Sequence, residues 1–141
     1  MKFERVSAAQ FAADCDAAGF AVEYANVVMP KLPRWDAAGY NIAIPFDIVI
    51  APNESIAVPI GVKIVDVPKN VFLGIYIKED ICMKRGLVLK NGVSIIDHDG
   101  DIWLYLKNDG KEDVEILAGE VVAFAVFQAF LVMRQYDKAN A

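Results

Sequence analysis

Apolar residues recur in short runs along this chain, and nearly every run is closed by a residue that favours a turn. The beginning is the exception. Ser7-Ala8-Ala9-Gln10 fits a capping box, in which the Ser7 hydroxyl accepts from the Gln10 amide and the Gln10 side chain reaches back to Ser7. Val6 and Phe11 stand where a hydrophobic staple would close the first turn, and Gly19 suits the left-handed position just past the last one. The pattern predicts a helix over residues 8–18, with Ser7 as its cap.

After Gly19 the pattern is that of short strands. Val22–Val28 reads as a strand, and Pro30 and Pro33 then force extended or turning backbone. Ile48-Val49-Ile50 is closed by the turn Pro52-Asn53-Glu54, and Ile56–Val65 is interrupted by Pro59 and Gly61, which suit an edge or a bulge. Val71–Ile77, Leu87–Leu89, Ile102–Leu106, Val114–Leu117 and Val121–Met133 are further apolar runs. Ile102–Leu106 alternates poorly and reads as a strand buried on both faces, with Trp103 in the core. On a strand through 121–133, Phe124 and Phe130 share one face and Phe127 takes the other. Asn91-Gly92, Asp99-Gly100 and Asp109-Gly110 are dipeptides favoured in tight hairpins. Glu79-Asp80 reads as a solvated acidic turn. Many short strands at even spacing predict an all-β sandwich or distorted barrel of jelly-roll type with one short N-terminal helix. No repeat or linker interrupts the 141 residues, so one domain spanning 1–141 is expected, with 134–141 as a flexible tail.

Composition adds an expectation about assembly. The chain is 56% hydrophobic with a mean hydropathy of +0.34, which suggests apolar surface buried against copies of itself. The net charge of −5 and the scattered Lys and Arg argue against a nucleic-acid duplex as partner. An acidic chain still binds a nucleotide where a local site or Mg2+ supplies positive charge. Cys15 and Cys82 form no metal-ligand pattern and suggest no disulfide framework, which fits a reducing cytoplasm. Met1-Lys2-Phe3-Glu4-Arg5 leads into no apolar signal core, and Val121–Met133, broken by Gln128, is too short to span a membrane. A cytoplasmic location without membrane partner is therefore expected. The lone histidine, His98, reads as a solvated turn residue, and Trp35 as a loop residue suited to an interface.

The order of several phrases resembles a family, the trimeric all-β dUTPases. Ala38-Gly39-Tyr40-Asn41 is similar to that family's A-G-Y-D, and Pro59-Ile60-Gly61-Val62-Lys63 to its P-T-G-I-K. Lys78-Glu79-Asp80 followed by Arg85-Gly86-Leu87 lies where the family has R-S-S and then G-L. Asn91-Gly92-Val93-Ser94-Ile95-Ile96-Asp97-His98-Asp99 resembles N-G-V-G-V-I-D-x-D-Y, and Gly119-Glu120-Val121-Val122-Ala123-Phe124 resembles G-D-R-I-A-Q. Phe3-Glu4-Arg5-Val6-Ser7 is similar to the start of some phage-type members. The resemblance covers most of the chain and implies the fold, a homotrimer, and hydrolysis of dUTP to dUMP and pyrophosphate with Mg2+ across the phosphates. It also admits a phage-encoded protein, in host cytoplasm or virion.

By the same resemblance, Asp97 is the water-activating base, and Lys78, Gly86, Asn91, Gly92, Ile96 and Asp99 are substrate contacts. Asn41, Glu79 and Asp80 stand at or near the family's metal and phosphate positions. Several of these depart from the motif. Asn41 replaces an Asp and offers hard Mg2+ a neutral carbonyl. Glu79 and Asp80 replace serines that face phosphate, and two like charges about 4 Å apart repel by roughly 4 kcal/mol at an effective dielectric near 20. Lys78 replaces an Arg and lacks its bidentate fork. Asp99-Gly100-Asp101 omits the Tyr and about one further position from the uracil hairpin, and Phe124 replaces a Gln. No Gly-rich arm with Arg and Phe follows Val132.

Two functions follow. In the first, a dUTPase-like trimeric scaffold has lost hydrolysis and serves as a binding, regulatory or phage structural module with an unidentified protein partner. In the alternative, an active pyrophosphatase for dUTP or another deoxynucleoside triphosphate gathers Asp97, Asp99, Asp101, Glu79 and Asp80 round one or two metal ions.

Overall fold

The computed structural model describes residues 1–133, so the tail expected over 134–141 lies outside the described residues. The elements are β1 (Lys2–Arg5), α1 (Ala8–Ala18), β2 (Tyr40–Ala43), β3 (Ile48–Ile50), β4 (Ser55–Val65), β5 (Val71–Ile77), α2 (Glu79–Arg85), β6 (Leu87–Leu89), β7 (Ser94–Ile96), β8 (Gly100–Asn108), β9 (Val114–Ile116) and β10 (Val121–Ala129). They form a four-stranded sheet in the order β1-β4-β8-β6, a second in the order β2-β10-β5-β7, and a ribbon of β3 with β9. Every described ladder is antiparallel, and none joins two strands consecutive in sequence.

That topology corrects the three expected hairpins. Asn91-Gly92 links β6 to β7, Asp99-Gly100 links β7 to β8, and Asp109-Gly110 links β8 to β9, and in each case the two strands belong to different sheets. The dipeptides do mark sharp turns, with Gly92 at φ 78°, but the turns pass the chain between layers instead of folding it back on itself. Turn chemistry is local, whereas strand pairing is decided by which apolar faces meet.

The layers meet in one core built largely of branched aliphatic side chains, including Ile42, Ile44, Ile60, Ile64, Leu73, Ile75, Leu104 and Leu106, all fully buried. On β8 the burial alternates strictly: Ile102, Leu104 and Leu106 point inward while Trp103 and Tyr105 point out. The expectation of a strand buried on both faces, with Trp103 in the core, is thus corrected. Phe124 and Phe127 do take opposite faces. Phe127 packs on Phe3 and Tyr40, while Phe124 stacks on Tyr76.

The helix over 8–18 forms as expected. The Gln10 amide donates to Ser7 Oγ at 3.0 Å, and Gly19 ends the helix at φ 82°. The reciprocal half of the capping box is absent, because the Gln10 side chain donates to Asp14 Oδ1 instead. Gly61 marks the expected bulge: the β4–β8 register shifts between Pro59 and Lys63, and a Cβ on Gly61 (φ 81°) would stand 2.5 Å from Val27 Cγ2. Residues 22–28 are not a strand. They hold the 3₁₀ turn Tyr24–Asn26, pinned by Tyr24 Oη donating to the Val6 carbonyl, with only Val27 deeply buried. β1 and β2 are strands that the apolar pattern did not mark.

The second helix, α2, replaces the expected acidic turn. Its sequence, Glu79 to Arg85, carries acids in the first turn and Lys84 and Arg85 in the last, and Gly86 caps it at φ 72°. This charge order matches the helix dipole, each charge contributing about 0.3–1 kcal/mol.

Two polar side chains hold the crossovers. Asn108 is fully buried. Its Nδ2 donates to the carbonyls of Ile50 and Glu112 at 2.8 and 2.7 Å, and its Oδ1 accepts from the Gly110 amide at 2.8 Å. It therefore ties β3, β8 and the 109–112 turn together. Asp99 accepts from the Asp66 and Val67 amides at 3.1 and 3.0 Å, fixing the β7–β8 crossover to the end of β4. These donors, Val67 before Asp66, hold its carboxyl below the usual carboxylate range.

Replacing Asn108 with Ala should destabilise the protein by about 3 kcal/mol, because buried carbonyls and an amide lose their partner; urea unfolding measures this, and a loss under about 1 kcal/mol would refute the role given to Asn108. For Asp99 the folded pKa is depressed, so its contribution is present above the unfolded value of about 3.9 and is lost as pH falls through the folded value. Asp99→Ala should be less stable than wild type at neutral pH, and the gap between their urea midpoints should close on acidification through that window.

Candidate functional site

The positions singled out in the sequence collect at two separate ends of the second sheet. At one end, Phe124 on β10 lies in register with Asn41 on β2 and with Tyr76 on β5, whose ring it stacks on at a centroid distance of 5.4 Å. The Asn41 amide donates to the Lys31 carbonyl at 2.7 Å. Just beyond β5, the Lys78 amide donates to the Val122 carbonyl and the chain enters α2. Lys78, Glu79, Asp80, Met83, Lys84 and Phe124 line a cavity of about 450 Å3. Glu79 and Asp80 are exposed and make no ion pair or side-chain hydrogen bond among the described residues.

At the other end, β7 pairs with β5 so that Ile96 opposes Leu73. Asp97 therefore leaves the sheet level with Phe72, six residues from Lys78 along β5. At about 3.3 Å per residue the two are roughly 20 Å apart. Asp97 Oδ1 lies 2.9 Å from His98 Nδ1, and this hydrogen bond is the leading cause that holds the Asp97 carboxyl below its usual range. His98 is thus exposed, as expected, but paired. Asn91 Nδ2 donates to Ser94 Oγ at 3.0 Å. A cavity of about 190 Å3 opens beside these residues, lined by Asn91, Ser94, Ile96, Asp101, Trp103 and Tyr105 among others.

Gly86 and Asp99, named as substrate contacts by resemblance, have structural work within this chain. A Cβ on Gly86 would come within 2.9 Å of the Gly110 backbone, and Asp99 spends its carboxylate on two backbone amides. Gly92 stands at an open turn with nothing near a built Cβ. The five acids proposed to gather round metal do not meet within one chain: among the described residues no group of three or more His, Cys, Asp or Glu side chains is arranged to hold a metal ion. The sequence reading missed Met83, Trp103 and Tyr105 as cavity residues. The polar Asp101 and Lys107, in phase with Trp103 and Tyr105 along β8, were the available signal for the last two.

No helix among the described residues is long and apolar enough to cross a membrane. Comparisons with known proteins agree with one another. The solved dUTPase of Streptococcus mutans superposes with a TM-score of 0.73 at 28% identity, covering 94% of this chain and 98% of that one. The dUTPase of Staphylococcus bacteriophage 80alpha superposes at 0.70 with 18% identity, over 82% of this chain and 93% of that one, and shows the fold alone. A deoxyuridine 5'-triphosphate nucleotidohydrolase of Lactococcus lactis is 34% identical over 116 residues, 77% of either chain. One from Desulfitobacterium hafniense is 31% identical over 105 residues, 70% of either. The family profile described as dUTPase matches residues 25–140, and members of that family are typically homotrimeric and Mg2+-dependent. With that match across most of its length and a fold to go with it, the chain belongs to the dUTPase family.

Proposed function

We propose that this protein is a pyrophosphatase for a pyrimidine deoxynucleoside triphosphate, releasing the monophosphate and pyrophosphate as in dUTP to dUMP, at sites completed between copies of the chain. The observation that carries the reading is the state of Asp97. It stands at the family's base position, exposed to solvent and held ionised chiefly by His98, and its carboxylate does not tie two distant segments together as that of Asp99 does. An ionised, accessible carboxylate can take a proton from an attacking water. The relatives bearing the name of a nucleotidohydrolase support the same reading.

Within one chain Asp97 stands too far from Lys78 for both to serve one triphosphate. Head-to-tail association of copies brings the two ends together, and a heterologous contact that closes makes a ring. A trimer of this kind would set Asp97 of one copy against Lys78, Glu79, Asp80 and Asn41 of the next. Asp97 would then activate water while the Lys78 ammonium receives phosphate oxygens. Glu79 and Asp80, free of other side-chain partners among the described residues, and Asp97 are hard oxygen donors suited to Mg2+, with Asn41 adding a neutral carbonyl. Mg2+, when bound, supplies the positive charge that the acids would otherwise deny the phosphates.

One observation favours the other reading, a binding, regulatory or structural module without hydrolysis: Glu79 and Asp80 share their cavity with Lys78 and Lys84 and offset the charge of both. The two readings separate in a pyrophosphate-release assay with each deoxynucleoside triphosphate and Mg2+. Turnover is expected, and Asp97→Asn should lower it by about 100-fold or more; a folded trimer with no turnover on any of them would leave the non-catalytic reading standing. Co-refolding Asp97→Asn with Lys78→Ala chains should restore activity that neither variant has alone, since mixed rings rebuild intact sites. No restoration would show that the two ends do not join.

A further inference from the structure

We propose that a cleft beside the N-terminal helix is a docking pocket for an arginine side chain of a partner protein. The cleft, of about 230 Å3, lies where the chain leaving α1 faces the β2–β3 connection and the β9–β10 turn. Phe20, Ala21, Glu23, Phe46, Asp47 and Ala118 line it, among others. It shares no lining residue with either cavity described above, so its occupancy does not depend on the hydrolysis proposed there. The family profile begins at residue 25, so the wall formed by Phe20, Ala21 and Glu23 precedes it.

Aromatic stacking gives the cleft its floor. Phe46 stacks on both Phe11 and Phe20, at centroid distances of 5.8 and 4.4 Å. Phe11 is fully buried, whereas Phe20 is half-buried and borders the cleft, so the stack ends in a ring that the cavity reaches. The face of such a ring is negative and attracts a cation placed over it. Charge then selects the occupant. Glu23 and Asp47 carry the only formal charges on the lining, and neither forms an ion pair among the described residues. Asp47 Oδ1 accepts from the Ala118 amide at 2.7 Å, which holds the carboxylate in place and leaves Oδ2 to a ligand. A guanidinium meets both demands: its plane stacks on an aromatic face and its N–H fork donates to carboxylates. Its aliphatic stem covers apolar lining such as Ala21 and Pro45. The compact ammonium of lysine offers no plane to stack.

The surroundings point to a protein as the source of that side chain. Val22 stands between two lining residues and Leu117 adjoins a third, and both are exposed. Ile48 opposes Ile116, so Leu117 falls opposite Asp47 on the outer face of the β3–β9 ribbon, where Val49 is exposed as well. A charged pocket bordered by exposed apolar side chains is the setting in which an arginine anchors a protein interface.

The test is an NMR titration of the full-length protein with acetyl-leucyl-arginyl-leucine amide, read at the backbone amides of Ala21, Phe46 and Ala118. The peptide should shift all three. Its citrulline counterpart, similar in shape but neutral, should bind about tenfold more weakly. Glu23→Gln and Asp47→Asn, the latter keeping an acceptor for the Ala118 amide, should each weaken the arginine peptide by about threefold. Together they should bring the two peptides within about twofold of each other. Arginine amide alone should bind more weakly than the peptide, because it leaves the apolar border uncovered. Equal binding of the citrulline peptide to the parent, shifts confined to the cavity of Glu79 and Asp80, or no shift at all overturns the inference. Arginine amide binding as tightly as the peptide would mark a site for a free cation and overturn the protein partner.

Discussion

Strand β5 lies between β10 and β7, and that placement fixes where each candidate side chain can act. The β10 ladder sets Phe124 against Tyr76, and through it Asn41, at the end of β5 that leads to Lys78. The β7 ladder sets Ile96 against Leu73 at the other end, so that Asp97 emerges there. Register in a sheet with one buried face is strongly specified, because a slip of one residue would turn Leu73 and Ile75 out of the core. The separation between Asp97 and Lys78 is therefore built into the core packing and cannot be closed by a loop movement. Any chemistry that needs both has to come from association.

Several residues around these sites serve the scaffold first. Since no described strand pairs with its sequence neighbour, every connection crosses between layers, and each crossing leaves backbone donors and acceptors in need of partners. Asn108 satisfies three such groups and Asp99 two. Gly86 lets α2 end against Gly110 with no room for a side chain. The same phrase can thus carry a family likeness through backbone geometry alone, which is why the likeness of Asn91–Asp99 says more about the fold than about which side chains touch substrate.

Much of the fold was legible in the chain because its signals are local. Ser7, Gln10 and Gly19 mark α1 by capping, and Gly61 marks the bulge by its positive φ. What was not legible is long-range. Asn91-Gly92 and Asp99-Gly100 have hairpin chemistry yet join different sheets, since pairing is chosen by distant faces. Val22–Val28 has strand composition yet is held in a turn by a Tyr24 contact to Val6. α2 had a readable signature in its acid-first, base-last order and Gly86, but seven residues are too few for an apolar period to show. As for the site, the sequence marked Asp97, Lys78 and Asn41 through their family phrases. It did not reveal that they stand at opposite ends, because that depends on register. Trp103 reads as core because Ile102–Leu106 is apolar at every position, whereas the structure turns Trp103 to the same outward face as Asp101 and Lys107.

Magnitudes decide how the acids of α2 bear on function. Their place in the first helical turn gives Glu79 and Asp80 a structural reason to be there, about 0.3–1 kcal/mol each. Repulsion of a phosphate oxygen at about 4 Å by either one is several-fold larger, roughly 4 kcal/mol at an effective dielectric near 20. Helix stability therefore explains the acids but does not make them neutral toward an anionic ligand. Lys78 and Lys84 line the same cavity and balance the two charges in number, without cancelling the repulsion from a carboxylate in direct contact with a phosphate oxygen. A cation at that end reverses the sign of the argument, because the same two carboxylates then become its ligands and draw the phosphates in through it. The departure from the family's serines thus does not by itself mean loss of hydrolysis; under the proposed reading, phosphate binding at this end would depend more heavily on a cation.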